Sequence, residues 1–156
     1  MKKIALSLAL ICTQAPAATV IGVADGDTLT VLSKGRPLKV RLANIDAPEK
    51  KQPFGARSKQ SLSDLCYGRD ATIQSSNKDR YGRTVAVVHC DAVNVNVAQV
   101  SRGMAWVYRQ YNHDATLPAV EATARLSRVG LWSEARPLEP WVYRKERKAA
   151  TANGRS

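Results

Sequence analysis

Along residues 19–43, apolar and polar positions fall into three short β-rich runs, TVIGVA, TLTVLS and PLKVRLA, broken by Asp25-Gly26-Asp27 and Lys34-Gly35-Arg36. Glycine beside short polar or charged residues is turn chemistry, so the pattern predicts a meander of three strands. In the third run Leu38, Val40 and Leu42 alternate with Lys39 and Arg41. One face is therefore apolar, and Arg41 points away from it. Pro53 then opens a helix whose stripe is Phe54, Ser58, Leu62 and Leu65, with Gly68 just past its end. Two further strands are expected at 71–75 and 84–90, separated by the turn-prone NKDRYGR. The stretch DAVNVNVAQVSRG alternates like a strand and also fits a short helix capped by Asn96 and Gly103, so it reads as a strand end passing into a helix. A last helix is expected from about residue 116 to 129, stopped by Gly130 and followed by Leu131-Trp132. The basic ending PWVYRKERKAATANGRS thins in apolar residues and is expected to lose order after about Tyr143.

Five strands, with one helix after the third and two more at the end, predict an α+β, mainly β chain. The expected architecture is a five-stranded OB-fold barrel with about three flanking helices. At 156 residues this is one folded domain. The first residues, MKKIALSLALICTQAPAA, join Lys2 and Lys3 to an apolar stretch ending at Cys12 and an Ala15-Pro16-Ala17 cleavage pattern. Residues 1–17 thus read as a cleaved signal peptide, with an uncleaved N-terminal helix as the alternative, and the destination is secreted or periplasmic. The stretch is too short for a stable membrane anchor. The expected division is a leader over 1–17, a folded domain over 18–143 and a basic tail over 144–156.

The formal charge is +11, and only Lys2 and Lys3 of the basic residues lie in the leader. That balance favours a polyanionic partner, nucleic acid or an anionic membrane surface. The basic residues are spread along the chain rather than stacked on one amphipathic helix, which disfavours the membrane. Outside the leader only Cys66 and Cys90 remain, in a chain bound for an oxidising compartment. Such a pair most often bonds, two buried thiols being the alternative, and the absence of CxxC argues against zinc.

Among 13 acidic residues, Asp25, Asp27, Asp46 and Glu49 sit in turns, where oxygen ligands for a hard cation such as Ca2+ can be collected from separate segments. Phosphodiester hydrolysis also needs cations at the phosphate and a base for water. Arg41 and Arg83 suit the first need and Glu49 the second, because a guanidinium fork binds two phosphoryl oxygens and keeps its charge. Each piece has a plainer reading: DGDT and YGR are good turns, and a lone Arg83 is usually a solvated charge.

Taken together, VADGDTLTV, VRLANIDAPE, DRYGRTVA, NVAQVSRGMAWVY and RVGLW resemble, in order and spacing, the staphylococcal nuclease (thermonuclease) family over roughly residues 20–132. The resemblance implies a Ca2+-dependent endonuclease acting on DNA and RNA with little sequence specificity, cleaving the P–O5′ bond and leaving 3′-phosphates. It implies Ca2+ ligation by Asp27, Asp46 and the Ala47 carbonyl, where the family's usual Thr is replaced by Ala. Arg41, Glu49 and Arg83 match the catalytic residues, and Asp25 supports the ligands from behind or shapes the turn rather than ligating directly. Arg80, Tyr81 and Tyr111 match substrate contacts, whereas Arg109 stands where the family prototype has another Tyr. Trp106 and Tyr108 suit core or rim packing as well as a substrate role. The expected substrate is single-stranded nucleic acid and the expected state a monomer. The competing reading is a non-catalytic nucleic-acid-binding OB-fold module, in which the acids or the paired arginines would be missing.

Overall fold

The three N-terminal runs are strands β1 (Ala18–Val23), β2 (Thr28–Ser33) and β3 (Arg36–Leu42), an antiparallel meander in a computed structural model that describes residues 18–153. The proposed leader lies outside the described residues. The two-residue β4 (Ile45–Asp46) leads to helix α1 (Gly55–Cys66), then β5 (Asp70–Lys78), β6 (Thr84–Cys90) and β7 (Val93–Asn94). Helix α2 (Val95–Ser101), strand β8 (Trp106–Val107), helix α3 (Leu117–Leu126) and helix α4 (Pro140–Asn153) complete the order.

The strand order is β3-β2-β1-β5-β6-β7, and a parallel pairing of β3 with β6 through Val40–Thr84, Arg41–Val85 and Leu42–Ala86 closes the sheet. The five long strands thus form the expected barrel. Closure leaves no exposed edge between β3 and β6. Period-2 alternation puts Leu29, Val31, Val40, Leu42 and Val88 fully inside. Burying each such side chain contributes about 1.5–3 kcal/mol before the cost of ordering it. Helix α1 seals one end with Leu62 and Leu65, and α2 adds Val95 and Val100. A smaller cluster of Trp106, Ala124, Leu131 and Trp132, with Phe54 and Trp141 against it, ties α3 and α4 to the region around β8.

Two expectations change. The cap of α2 is Asn94, whose side chain accepts the Val97 N–H at 3.1 Å. Asn96 instead turns inward, accepting the Val88 N–H (3.0 Å) and donating to the Ala43 and Ala86 carbonyls (2.9 and 3.2 Å). Backbone groups between β3 and β6 need a polar partner there, and a buried amide can serve donors and acceptors at once. The second change is a fourth helix: the ending expected to lose order after Tyr143 continues as α4 to Asn153, so a domain boundary at 143 would cut through it. Pro140 has the fixed φ that suits a first turn, and Trp141 anchors the helix by stacking on Tyr108 at 5.5 Å and meeting Trp106 edge-on at 5.9 Å.

Cys66 at the end of α1 and Cys90 at the end of β6 form a disulfide across 24 residues. Loop closure of this length stabilises by about 3–4 kcal/mol in the chain-entropy model. A Cys66→Ala/Cys90→Ala variant is therefore expected to lose about 3 kcal/mol in urea unfolding, and an unchanged midpoint would show that the bond adds nothing.

Candidate active site

The turn between β1 and β2 sets the first acid. A Cβ on Gly26 would lie 2.7 Å from the Ser58 Cβ and 2.8 Å from the Ala47 Cβ, so only glycine lets this turn press against α1 and the loop after β4. Gln99 clamps it by donating to the Gly26 carbonyl at 2.7 Å. Asp27 is buried as a result. Its Oδ2 accepts the Ala47 N–H at 2.8 Å and its Oδ1 the Thr28 hydroxyl at 3.0 Å. Asp46 is placed by pairing of β4 with β8, opposite Trp106, and is 1 % exposed. Burial and the neighbouring Asp27 push Asp25 up to about 6, and burial pushes Asp46 upward despite its guanidinium partners.

Arg41 joins the two buried carboxylates. Its Nη1 donates to the Leu42 and Ile45 carbonyls (2.7 and 2.9 Å), while Nη2 contacts Asp46 Oδ1 at 2.9 Å and Asp27 Oδ2 at 3.3 Å. Burial disfavours its charge, yet Asp27 and Asp46 hold the guanidinium above its ordinary value. Glu49 follows in the turn after Pro48, with its N–H on Gln52 Oε1 (3.1 Å) and its carbonyl accepting the Gln52 N–H (2.8 Å). Gly55 packs directly on that carbonyl, leaving no room for a Cβ.

Arg83 arrives from the loop between β5 and β6. Asp79 Oδ2 holds its Nε at 2.7 Å, and its Nη1 lies 3.4 Å from Thr28 Oγ1. Asp27, Arg41, Asp46, Ala47, Glu49 and Arg83 line one cavity of about 980 Å3, together with Arg80 and Tyr111. Of the expected site residues only Tyr81 is not on that lining. Its exposed ring instead packs against the guanidinium groups of Arg80 and Arg83 at 5.0 and 5.5 Å. Tyr108 is on the lining, stacked on Trp141 and edge-on to Tyr111, whereas Trp106 is buried in the second cluster. Arg109 pairs with the buried Glu121 at 3.2 Å, which also accepts the Val107 N–H at 2.9 Å. This ion pair commits Arg109 to Glu121.

Arg144, expected in a tail without order, also faces this cavity. From α4 its Nη2 reaches Asp46 Oδ2 at 2.7 Å, and its Nη1 reaches Asp46 Oδ1 at 3.2 Å and Glu49 Oε1 at 2.9 Å. Although burial opposes its charge, these carboxylates raise its pKa above the ordinary arginine value. The sequence signal that could have found it is the Pro140-Trp141 helix start with Arg144 one turn further on.

The donor chemistry here is hard oxygen: two buried carboxylates within reach of the same Arg41 nitrogen, with the Ala47 backbone alongside Asp27. Among the described residues no group of three or more His, Cys, Asp or Glu side chains gathers as a cage. Oxygen donors of this kind suit a hard divalent cation rather than a soft metal. Any cation using Asp46 Oδ2 must compete with Arg144. If these acids hold a divalent cation, Arg144→Gln is expected to tighten its binding about 10-fold in calorimetry with Ca2+ as the probe, since partly exposed charge-assisted contacts contribute about 1–2 kcal/mol. An unchanged Kd would mean that this guanidinium does not cover Asp46 in solution.

Residues 39–134 match the staphylococcal nuclease homologue family. A Haemophilus influenzae protein named an uncharacterized endonuclease is 47% identical over 130 residues, covering 83% of this chain and 73% of its own. The micrococcal nuclease of Shigella flexneri is 41% identical over 143 residues, covering 85% and 82%. Protein ParB of Escherichia coli is 39% identical over 162 residues, covering 94% and 92%.

Proposed function

The chain belongs to the staphylococcal nuclease homologue family and is a nuclease, and from that premise we propose a Ca2+-dependent endonuclease that cuts DNA and RNA with little sequence specificity and leaves 3′-phosphate ends. The supporting observation is the convergence of Arg41, Arg83 and Glu49 on one cavity beside Asp27 and Asp46, from segments far apart in the chain. The binding-only alternative predicts that the acids or the paired arginines are missing, and Asp27, Asp46, Glu49, Arg41 and Arg83 are all present on this cavity.

Asp27, Asp46 and the Ala47 carbonyl would hold the cation, which when bound supplies positive charge beside the phosphoryl oxygens. Arg41 and Arg83 bind and orient the phosphate and meet the charge that grows on its oxygens as water attacks. Arg41 is pre-set for this by the carbonyls of Leu42 and Ile45, and Arg83 by Asp79. Pre-setting removes the cost of ordering two long side chains during the reaction. Glu49, with a side chain 39% exposed, takes the proton of the attacking water as the P–O5′ bond breaks, and the departing 5′ oxygen takes a proton from solvent to leave as a hydroxyl.

Tyr111, 55% exposed on the cavity lining, and the Arg80–Tyr81 pair offer stacking surfaces that suit unpaired bases, so single strands are the preferred substrate. The protein acts as a monomer exported through a cleaved leader over residues 1–17. The Cys66–Cys90 bond supports an oxidising compartment. No described helix is long and apolar enough to cross a membrane. The test is incubation of the mature protein with single-stranded DNA in Ca2+ or in EGTA. Calcium-dependent fragments with 3′-phosphate ends are expected, and salt-sensitive binding without cleavage in any divalent ion would leave the binding module instead.

A further inference from the structure

The active-site cavity does not end at Glu49. A second groove of about 510 Å3 adjoins it, sharing Glu49 and Arg144 and running on past Tyr143, Arg147, Lys148 and Thr151. Positions 144, 147, 148 and 151 lie one helical turn apart on one face of α4. The helix's single acidic residue, Glu146, projects from the opposite side. The Thr151 hydroxyl is taken by the Arg147 carbonyl at 2.9 Å, which leaves the two cations as the groove's charged groups beyond the site. Among the described residues neither Arg147 nor Lys148 forms an ion pair, and Arg147 lies over the Tyr143 ring at 5.9 Å. A cationic face that begins at the reacting centre and leads outward fits a continuous anion.

We infer that this face of α4 is a substrate path: the nucleic-acid strand leaves the cavity at Glu49 and runs along the helix with its phosphates on Arg147 and Lys148. The inference rests on the nuclease reading for its reacting phosphate. It assigns α4 a binding role that the sequence pattern does not disclose. Contacts of this kind act on backbone charge, so they add affinity for long strands without reading bases.

The test is the Arg147→Gln/Lys148→Gln variant, exposed helix positions where Gln preserves helical propensity. With a single-stranded 30-mer, KM is expected to rise about 10-fold at 0.15 M salt with kcat unchanged, because two phosphate contacts are lost. A chromogenic mononucleotide phosphodiester, too short to reach α4, is expected to give wild-type kinetics. Anisotropy of a labelled 30-mer in EGTA reads the path without cleavage: its log Kd against log salt should flatten by about 1.4, the single-strand value for two contacts. A charge-matched Lys34→Gln/Lys59→Gln variant, away from both grooves, should retain the wild-type KM and more of the slope. Equal effects in the two variants, or an unchanged slope and KM, overturn the path. A flattened slope in a protein that cuts neither substrate in any divalent ion keeps the path and overturns the nuclease reading instead.

Discussion

Glu49→Gln is expected to slow cleavage of single-stranded DNA about 10^2- to 10^4-fold at saturating Ca2+, the usual contribution of a positioned general base. The fold should survive. Glu49 is half-exposed and among the described residues its ion pair is with Arg144, which keeps both of its contacts to Asp46 when the Glu49 charge is removed. Gln retains an oxygen of the same size that can accept from Arg144 and from water but cannot take a proton. The loss should therefore appear in kcat, with KM for a short substrate little changed. Stopped assays at saturating Ca2+, beside far-UV circular dichroism and a calorimetric Ca2+ Kd, separate this from misfolding or metal loss. A kcat within threefold of wild type would remove Glu49 from proton transfer and reduce it to orienting the water.

Sequence pattern reached the barrel because its signals are local. Alternation in β3 fixes which side of the strand is apolar, and it turns Arg41 toward the acids rather than into the core. The segment from Arg41 to Glu49 was legible for the same reason, since four of the site's groups lie within nine residues. Bringing Asp27 and Arg83 to that segment depends on the parallel β3–β6 closure and on Gly26 against Ser58, neither of which has a periodic signature. Residue chemistry makes Asp27 a candidate ligand and Arg83 a candidate phosphate contact, and the family resemblance adds the specific assignments. Asn96 was misread because Asn94 and Asn96 both have capping chemistry, and only the barrel's unpaired backbone groups decide which turns inward. Arg144 was missed for a stronger reason. Beyond Tyr143 the helix has no apolar stripe, so its order depends on Trp141 packing against Trp106 and Tyr108, contacts with residues more than thirty positions away.

Arg41→Gln is expected to have a comparably large effect, and by two routes that Ca2+ can separate. In the metal-free protein Arg41 is the cation shared by Asp27 and Asp46, and it also satisfies the Leu42 and Ile45 carbonyls. Removing one partner from a buried ionic cluster typically costs about 3–5 kcal/mol, because the remaining charges stay desolvated. Arg144 still covers Asp46 from the other side, so the lower end, about 3 kcal/mol, is expected in urea unfolding with EGTA. Two carboxylates without their shared arginine should also bind a divalent cation more tightly. Ca2+ bound only to the folded state should then restore much of the lost stability by mass action. It should not restore turnover. One guanidinium donor aimed at a charge that develops on phosphate is worth about 10^2- to 10^3-fold in kcat, and a cation at the carboxylates cannot reproduce that direction. Recovery of stability without recovery of rate therefore marks Arg41 as a phosphate ligand as well as a support for the acids. Recovery of both would make it a structural cation alone and leave the phosphate to Arg83.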